Sequence, residues 1–568
     1  MYLLENPVLQ RELLVNLRLP RAFFLLLVYQ LLLAALVYFA WPKDSIRLDL
    51  TSNPDGTSQL VNLFFLGQYI LASLMTPSFA AGAIPGEKER KTYEMLLASP
   101  LQPQAIVMGK LVAALTHLAI LIFASLPIVM LCLPLGGVSI YEVLAAYLAL
   151  ICSVVTFGMI SIWCGSQFKR TSASLVVSYL LILPLAILGV LFWQALESRG
   201  TTRFNLTITV LPGIAAAISI SLFYLTSARL LYPPDVGSEG QEVVDLDQEA
   251  SEAIGLVIQR DQFPDRLFAP PKRNTLMSDN TNPIYDKEMR SEIFGQGTLM
   301  LRLAIQISMI LAIPLMAVFL YIQQGMAPWY IAYVCVFNIL VGPVFSAGSI
   351  TSERERQTLD LLLTTIITPW QFLWGKLVSG LRVSSVLTSF LLWPVLLAFI
   401  MVPEYWAVTP TILAYLIIIA LTCLTTAVLA LFCSTVFHKT GTSLIVTYTT
   451  ILVLYLGPIA GSFFAQNYFP ESPSTPYVEY STITSPFAAA FNFPLYMEGG
   501  DNQSNKWSRA DGGAPGQWFG YPLSDLRHFG GYVLFTLILN AALFQLMIWL
   551  FGSRWRVSTT GGQTLSTN

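Results

Sequence analysis

The sequence predicts an all-α integral membrane protein of about twelve transmembrane helices, built as two parallel six-helix repeats. Three observations carry this: long apolar runs without charge, a low overall charge content, and polar motifs that recur once in the same order. Of 568 residues, 55% are hydrophobic and only 11% charged, with a mean hydropathy of +0.63. A soluble domain carries roughly 25% charged residues. Residues 22–41, 111–140, 171–196, 303–352 and 407–437 contain no Asp, Glu, Lys or Arg. A run of about 20 apolar residues crosses the hydrocarbon layer as a helix. Leu, Ile and Ala dominate the runs, and no period-2 barrel pattern is present.

The spans are placed at 22–41, 61–84, 111–134, 141–164, 173–196, 206–231, 299–321, 329–350, 377–402, 408–434, 442–465 and 530–551. With both termini inside, the cytoplasmic segments hold 21 of the 31 Lys and Arg residues and the external ones 7. That is the bias expected of membrane orientation. The six cysteines lie in or at the ends of spans, without metal-ligand spacing, and read as buried apolar residues. The net charge of −2 argues against a nucleic-acid partner; the lipid bilayer is the implied surroundings.

The repeat sets the organisation. Asn6-Pro7-x-x-x-Arg11-Glu12 returns as Asn282-Pro283-x-x-x-Lys287-Glu288. EKERKTYEMLLASPLQPQAIVMGKL at 87–111 returns as ERERQTLDLLLTTIITPWQFLWGKL at 353–377, and CGSQFKRTSASLVVSY at 164–179 as CSTVFHKTGTSLIVTY at 433–448. Six spans per half give both halves one orientation. The domains expected are a first six-span half at 1–231, an acidic cytoplasmic linker at 232–281, and a second six-span half at 282–568. The linker has seven acids and no base between Pro233 and Ala253 and reads as a solvated tether. The second half carries a long external segment, 466–529, either a small cap or a loop.

Each half opens on a short amphipathic helix. Pro7 fits the first helical position after Asn6, and Leu9, Leu13 and Leu17 share a face. It is either an elbow into the first span or an interfacial anchor. After the second span of each half comes a charged cytoplasmic segment. Ser352 and Glu355 have capping-box spacing, with Gly86 and Glu89 in the matching positions. Arg90–Glu94 and Arg356–Asp360 are i, i+4 pairs. Tyr93, Leu96 and Leu97, and Leu359, Leu362 and Leu363, form apolar stripes expected to enter clefts on a partner. Pro103 and Pro369 then lead to Gly109-Lys110 and Gly375-Lys376.

The pattern E-x-E-R-x-T-x-[ED]-x-L-L, then Pro, then G-K-L before a span, resembles the coupling segment of ABC transporter permeases of the type-2 class. The opening N-P-x-x-x-[RK]-E is similar to the start of those permeases. The resemblance covers both halves, and such members usually have six spans per chain and dimerise, so a fused chain would supply the whole transmembrane domain. It implies ATP-driven export from the bacterial cytoplasmic (inner) membrane, with an ABC ATP-binding subunit, two copies, as partner. ATP and Mg would sit on that subunit, with no cofactor in this chain. It also implies that Glu87, Glu89, Arg90, Thr92 and Glu94, with Glu353, Glu355, Arg356, Thr358 and Asp360, lie against the ATPase. A short external element before the sixth span is implied too, matched by Ser485-Pro486-Phe487 in the second half only.

No phosphate loop is present: Gly109-Lys110-Leu111 and Gly375-Lys376-Leu377 lack the earlier Gly and the following hydroxyl of G-x-x-x-x-G-K-[ST]. The chain reads as a transport subunit without its own ATPase. A secondary transporter of major-facilitator architecture is the alternative. It would normally keep a carboxylate or His inside a span; here all acids fall in loops or near span ends, Glu142 the closest to an exception, and His117 is the one imidazole inside a span. A membrane-embedded enzyme has no paired carboxylates, nucleophile elbow or HExxH motif to rest on. The walls, rich in Leu, Ile, Val, Phe and Ser, do not select a substrate.

Overall fold

The computed structural model describes residues 7–17, 54–132, 139–168, 170–195, 200–231, 282–290, 298–322, 326–355, 357–359, 367–402, 409–438, 440–468, 480–492, 517–518 and 521–563, with isolated positions between 27 and 37 and at 362, 406 and 478. The chain forms two compact units, Met1–Ile258 with Ile293–Ile307, and Gln259–Glu292 with Ser308–Asn568.

Among the described residues, eleven helices are long and apolar enough to cross a membrane. They coincide with eleven of the twelve sequence-derived spans. The remaining one, 22–41, lies mostly outside the described residues; its Tyr29, Leu33 and Val37 are buried in the first unit's core. Apart from a two-residue antiparallel ribbon, Gln517–Trp518 with Tyr521–Pro522, the described chain is helical.

In the first unit the helices are α1 (Pro7–Leu17), α2 (Pro54–Ala80), α3 (Pro85–Glu89), α4 (Tyr93–Leu97), α5 (Pro103–Ala124), α6 (Leu126–Cys132), α7 (Ile140–Gln167), α8 (Thr171–Ala195) and α9 (Gly200–Leu231). α7 is central, packed on α2, α5, α8 and α9. It is started by a capping box between Ser139 and Glu142. α9 turns Ile208, Val210, Ile214, Ile220, Tyr224 and Leu225 outward, as a span facing lipid does.

In the second unit α10 (Pro283–Arg290) precedes α11 (Thr298–Met316), which belongs to this unit from Ser308 and widens into a π turn, Ala317–Ile322, just after Pro314. Then come α12 (Ala327–Ser346), α13 (Thr351–Glu355), α14 (Pro369–Met401), α15 (Thr409–Val436), α16 (Thr440–Tyr468), α17 (Pro486–Phe491) and α18 (Leu523–Gln563). α15 is the most buried span. Its Thr422 and Thr425 return their hydroxyls to Ile418 and Leu421 carbonyls at 2.7 Å each, so burying them leaves no donor unmet. α12 approaches α15 closely, since a Cβ added at Gly342 would stand 2.6 Å from Thr426 Oγ1. Small residues let spans meet this way. At the other end of α12, Trp329 meets Phe491 of α17 edge-on, at 5.1 Å. Ser485-Pro486-Phe487 thus opens a short helix before the last span, as the resemblance implied.

The sequence placed the spans after α4 and α13 at 111 and 377. The helices begin eight residues earlier, at Pro103 and Pro369. Proline suits a first helical position, and Thr368 and Gln371 close a capping box at α14. Lys110 and Lys376 are therefore inside helices. Cys164, Cys335, Cys423 and Cys433 are buried and Cys152 half-buried; the Cys132 side chain lies outside the described residues.

Candidate coupling site

Each charged segment contains a backbone reversal. In the first unit Lys91 has φ 58°. The Lys91 N–H donates to Lys88 O at 3.2 Å and the Thr92 N–H to Glu87 O at 3.0 Å. In the second unit Gln357 has φ 57°, and the N–H groups of Gln357 and Thr358 donate to Arg354 O and Glu353 O at 3.0 and 2.9 Å. Both are Schellman closures with Lys or Gln where Gly is usual. Each left-handed residue costs on the order of 1 kcal/mol.

Side chains hold the reversals. The Thr92 hydroxyl donates to the Glu87 carboxylate and the Thr358 hydroxyl to that of Glu353. Below each carboxylate lies a buried lysine. Lys110 Nζ stands 3.3 Å from Glu87 and 3.6 Å from Glu12 of α1. Lys376 Nζ stands 3.1 Å from Glu353 and 2.6 Å from Glu288 of α10. Both lysine side chains are only 3% exposed, so each ammonium depends on its two carboxylates. Lys287 adds a contact to Glu353 at 2.9 Å from the rim.

Glu89 and Glu355 face the starts of α8 and α16, the third span further along the chain in each case. Glu89 Oε1 accepts from the Thr171 N–H at 2.8 Å and hydroxyl at 2.9 Å. Glu355 accepts from the Thr440 N–H and hydroxyl at the same distances. A carboxylate here meets otherwise unsatisfied N–H groups and the positive end of the helix dipole. The opposite pole is served in the same segments. Lys88 Nζ donates to Ser166 O at 3.1 Å, and Arg354 donates to Phe437 O at 2.7 Å and Thr435 O at 2.8 Å. These carbonyls end α7 and α15, where cations are favoured.

Several sequence expectations are corrected. The capping boxes assigned to Ser352–Glu355 and Gly86–Glu89 do not form, because those acids cap α8 and α16 instead. The start of α13 is met by Ser434 Oγ, which accepts from the N–H groups of Ile350 and Thr351 at 3.0 and 3.1 Å. Arg90 and Glu94 are not on one helix, since the Lys91 reversal separates α3 from α4, and no ion pair joins them among the described residues. Arg356, Asp360 and Leu363 lie outside the described residues. Nor do the stripes point outward. Tyr93 is buried with Leu96 and Leu97 packed beside it in the first unit's core, and Leu359 with Leu362 does the same in the second. Area of this kind is hard to surrender to a partner.

Thus Glu87, Glu89, Thr92, Glu353, Glu355 and Thr358 shape the segments from within. Arg90, Lys91, Glu94 and Met95 are exposed, Met95 at 76%. Sequence reasoning missed Lys88, Arg354, Lys110, Lys376, Glu12 and Glu288 as partners. Each recurs in the repeat with its charge sign kept, and that was the available signal.

The family model described as ABC-2 family transporter protein matches residues 214–554, more than half of the chain. A second model with the same description matches residues 18–251. Comparison with curated proteins gives no match. With its spans and the matched length, the chain belongs to the ABC-2 transporter family and is a multi-pass membrane component of an ABC transporter.

Proposed function

We propose that this chain is the transmembrane part of an ATP-driven exporter and that its two charged segments are the seats of a separate ABC ATP-binding subunit. The observation that carries the reading is the buried lysine brace. Lys110 links the segment to α1 and α5, and Lys376 links its counterpart to α10 and α14. A push on such a segment reaches two helices through short, desolvated ion pairs rather than through a loose loop. Residues 1–231 and 282–568 are read as parallel repeats joined by the 232–281 tether, and two segments imply two ATPase copies. ATP and Mg belong to those copies. In the bacterial cytoplasmic membrane, the excess of Lys and Arg keeps both termini and both segments inside.

Glu87, Glu89, Thr92, Glu353, Glu355 and Thr358 act as positioning residues. Arg90 and Glu94, with Met95 beside them, supply the contact face in the first half; Arg356 and Asp360 have that role in the second. The family match removes the support for a major-facilitator mechanism. The test is purification of the tagged chain from its own membranes, with partners identified by mass spectrometry and their ratio by native mass. Two ABC ATP-binding subunits per chain and vanadate-sensitive ATPase activity are expected. A chain that transports with no such subunit contradicts the proposal.

A further inference from the structure

The first unit contains a cavity of about 90 Å³ between α2, α7, α8 and α9, lined by Phe65, Tyr69, Ala149, Gly189, Trp193 and Leu211 among others, none of them charged. Ser153, at its wall, donates its hydroxyl to Ala149 O at 2.8 Å. A Cβ on Gly189 would fall 2.6 Å from the Tyr69 hydroxyl, so the absence of a side chain at 189 lets Tyr69 lie against α8 at the cavity wall. Water needs two or more polar partners to occupy such a space, and this lining offers few. Trp193 and Leu211 are half-buried, so the cavity reaches the surface of the unit, where a bilayer supplies acyl chains.

The mouth is marked by charge. The Arg203 guanidinium lies 3.5 Å from the centroid of the Trp193 ring, which also lines the cavity, and donates to Asn62 Oδ1 at 2.8 Å. Trp193 lies in the last turn of α8, which ends at Ala195, and Arg203 in the first turn of α9, which starts at Gly200, while Asn62 stands in the third turn of α2. The end of α8 and the start of α9 thus bring an indole and a cation together where two spans meet the headgroup level, at which both residue types anchor.

We infer that this cavity binds a membrane phospholipid with an anionic headgroup, the end of one acyl chain filling the space beside Gly189 and the phosphate seated at Arg203. Trp193 separates the two environments and holds the guanidinium in place by its ring face. The inference needs only that the first unit lies in a bilayer, and it is independent of the ATPase reading.

The test is lipid retention by the detergent-purified full chain, read by native mass spectrometry with phosphatidylglycerol and phosphatidylcholine in turn. A charge-assisted contact predicts a preference of about tenfold for phosphatidylglycerol. Arg203→Gln abolishes the preference while leaving some binding, and Ala149→Phe lowers retention of both lipids. The unmodified chain provides a second readout. Phosphatidylglycerol with a photoreactive group at its chain end labels peptides containing residues 65–69, 149–153, 189–193 or 211. Labelling confined to other peptides, equal retention of the two lipids, or a preference that survives Arg203→Gln overturns the inference.

Discussion

Glu355 accepts hydrogen bonds from both the backbone N–H and the hydroxyl of Thr440, at 2.8 and 2.9 Å, and so a residue 85 positions away starts the helix α16. Glu89 and Thr171 are joined in the same way. A charged segment that caps a span later in the chain cannot tilt without disturbing that span. Replacing Glu355 by Ala removes the cap at a cost of about 1 kcal/mol. Glu355→Ala and Glu89→Ala are each expected to insert normally and to weaken stimulation of the partner's ATPase. Membrane expression and hydrolysis measured side by side check this, and unchanged stimulation would reduce the caps to local structure.

The lysine braces give a sharper energetic expectation. Lys376→Met leaves Glu288 and Glu353 facing each other at a site shielded from water. Loss of one partner of a buried pair costs about 3–5 kcal/mol, less here because the acids are 18% and 12% exposed. The melting temperature in detergent should fall clearly, with Lys110→Met behaving alike in the first unit. Adding Glu353→Gln to Lys376→Met should recover part of the loss. A double variant that melts lower than Lys376→Met would show that the brace is assigned wrongly.

The reversals at Lys91 and Gln357 are strained where glycine would not be. Lys91→Gly is expected to raise thermal stability by about 0.5–1 kcal/mol, whereas Lys91→Val, β-branched in the left-handed region, should lower it. Differential scanning of the three proteins in one detergent tests the order Gly, Lys, Val. The reverse order would contradict the geometry of the turn.

In the spans, Gly342 touches the Thr426 hydroxyl closely enough that a Cβ would lie 2.6 Å away. Gly342→Val is expected to destabilise by about 1–3 kcal/mol through overpacking. Thr426→Ala in the same chain should restore much of it. Additive losses would mean that the two residues do not share the contact.

The fold was legible because hydrophobic length and charge bias are properties of each segment alone, and eleven spans fall where the apolar runs predict. The starts of α5 and α14 were not, since Gly109-Lys110 and Gly375-Lys376 interrupt the hydropathy although the helix runs through them. A lysine becomes compatible with such a position only when Glu12 and Glu87, or Glu288 and Glu353, converge from elsewhere in the chain. The acids of the charged segments stood out by their repetition, but their directions did not. Arg90 and Glu94 have ideal helical spacing in sequence, and only the positive φ of Lys91 shows that the helix stops between them. Tyr93 and Leu96 likewise read as a free apolar stripe until the core they belong to is assembled.

The central claim is that the exposed edge of the first charged segment meets an ABC ATP-binding subunit. A photo-crosslinking amino acid placed at the exposed Met95 of α4 and irradiated in native membranes tests it directly. The account predicts a crosslink to the ATP-binding subunit that weakens in the Arg90→Glu background at normal expression. Crosslinks confined to lipid or to the chain itself, with the ATP-binding subunit present in the same membranes, would contradict it.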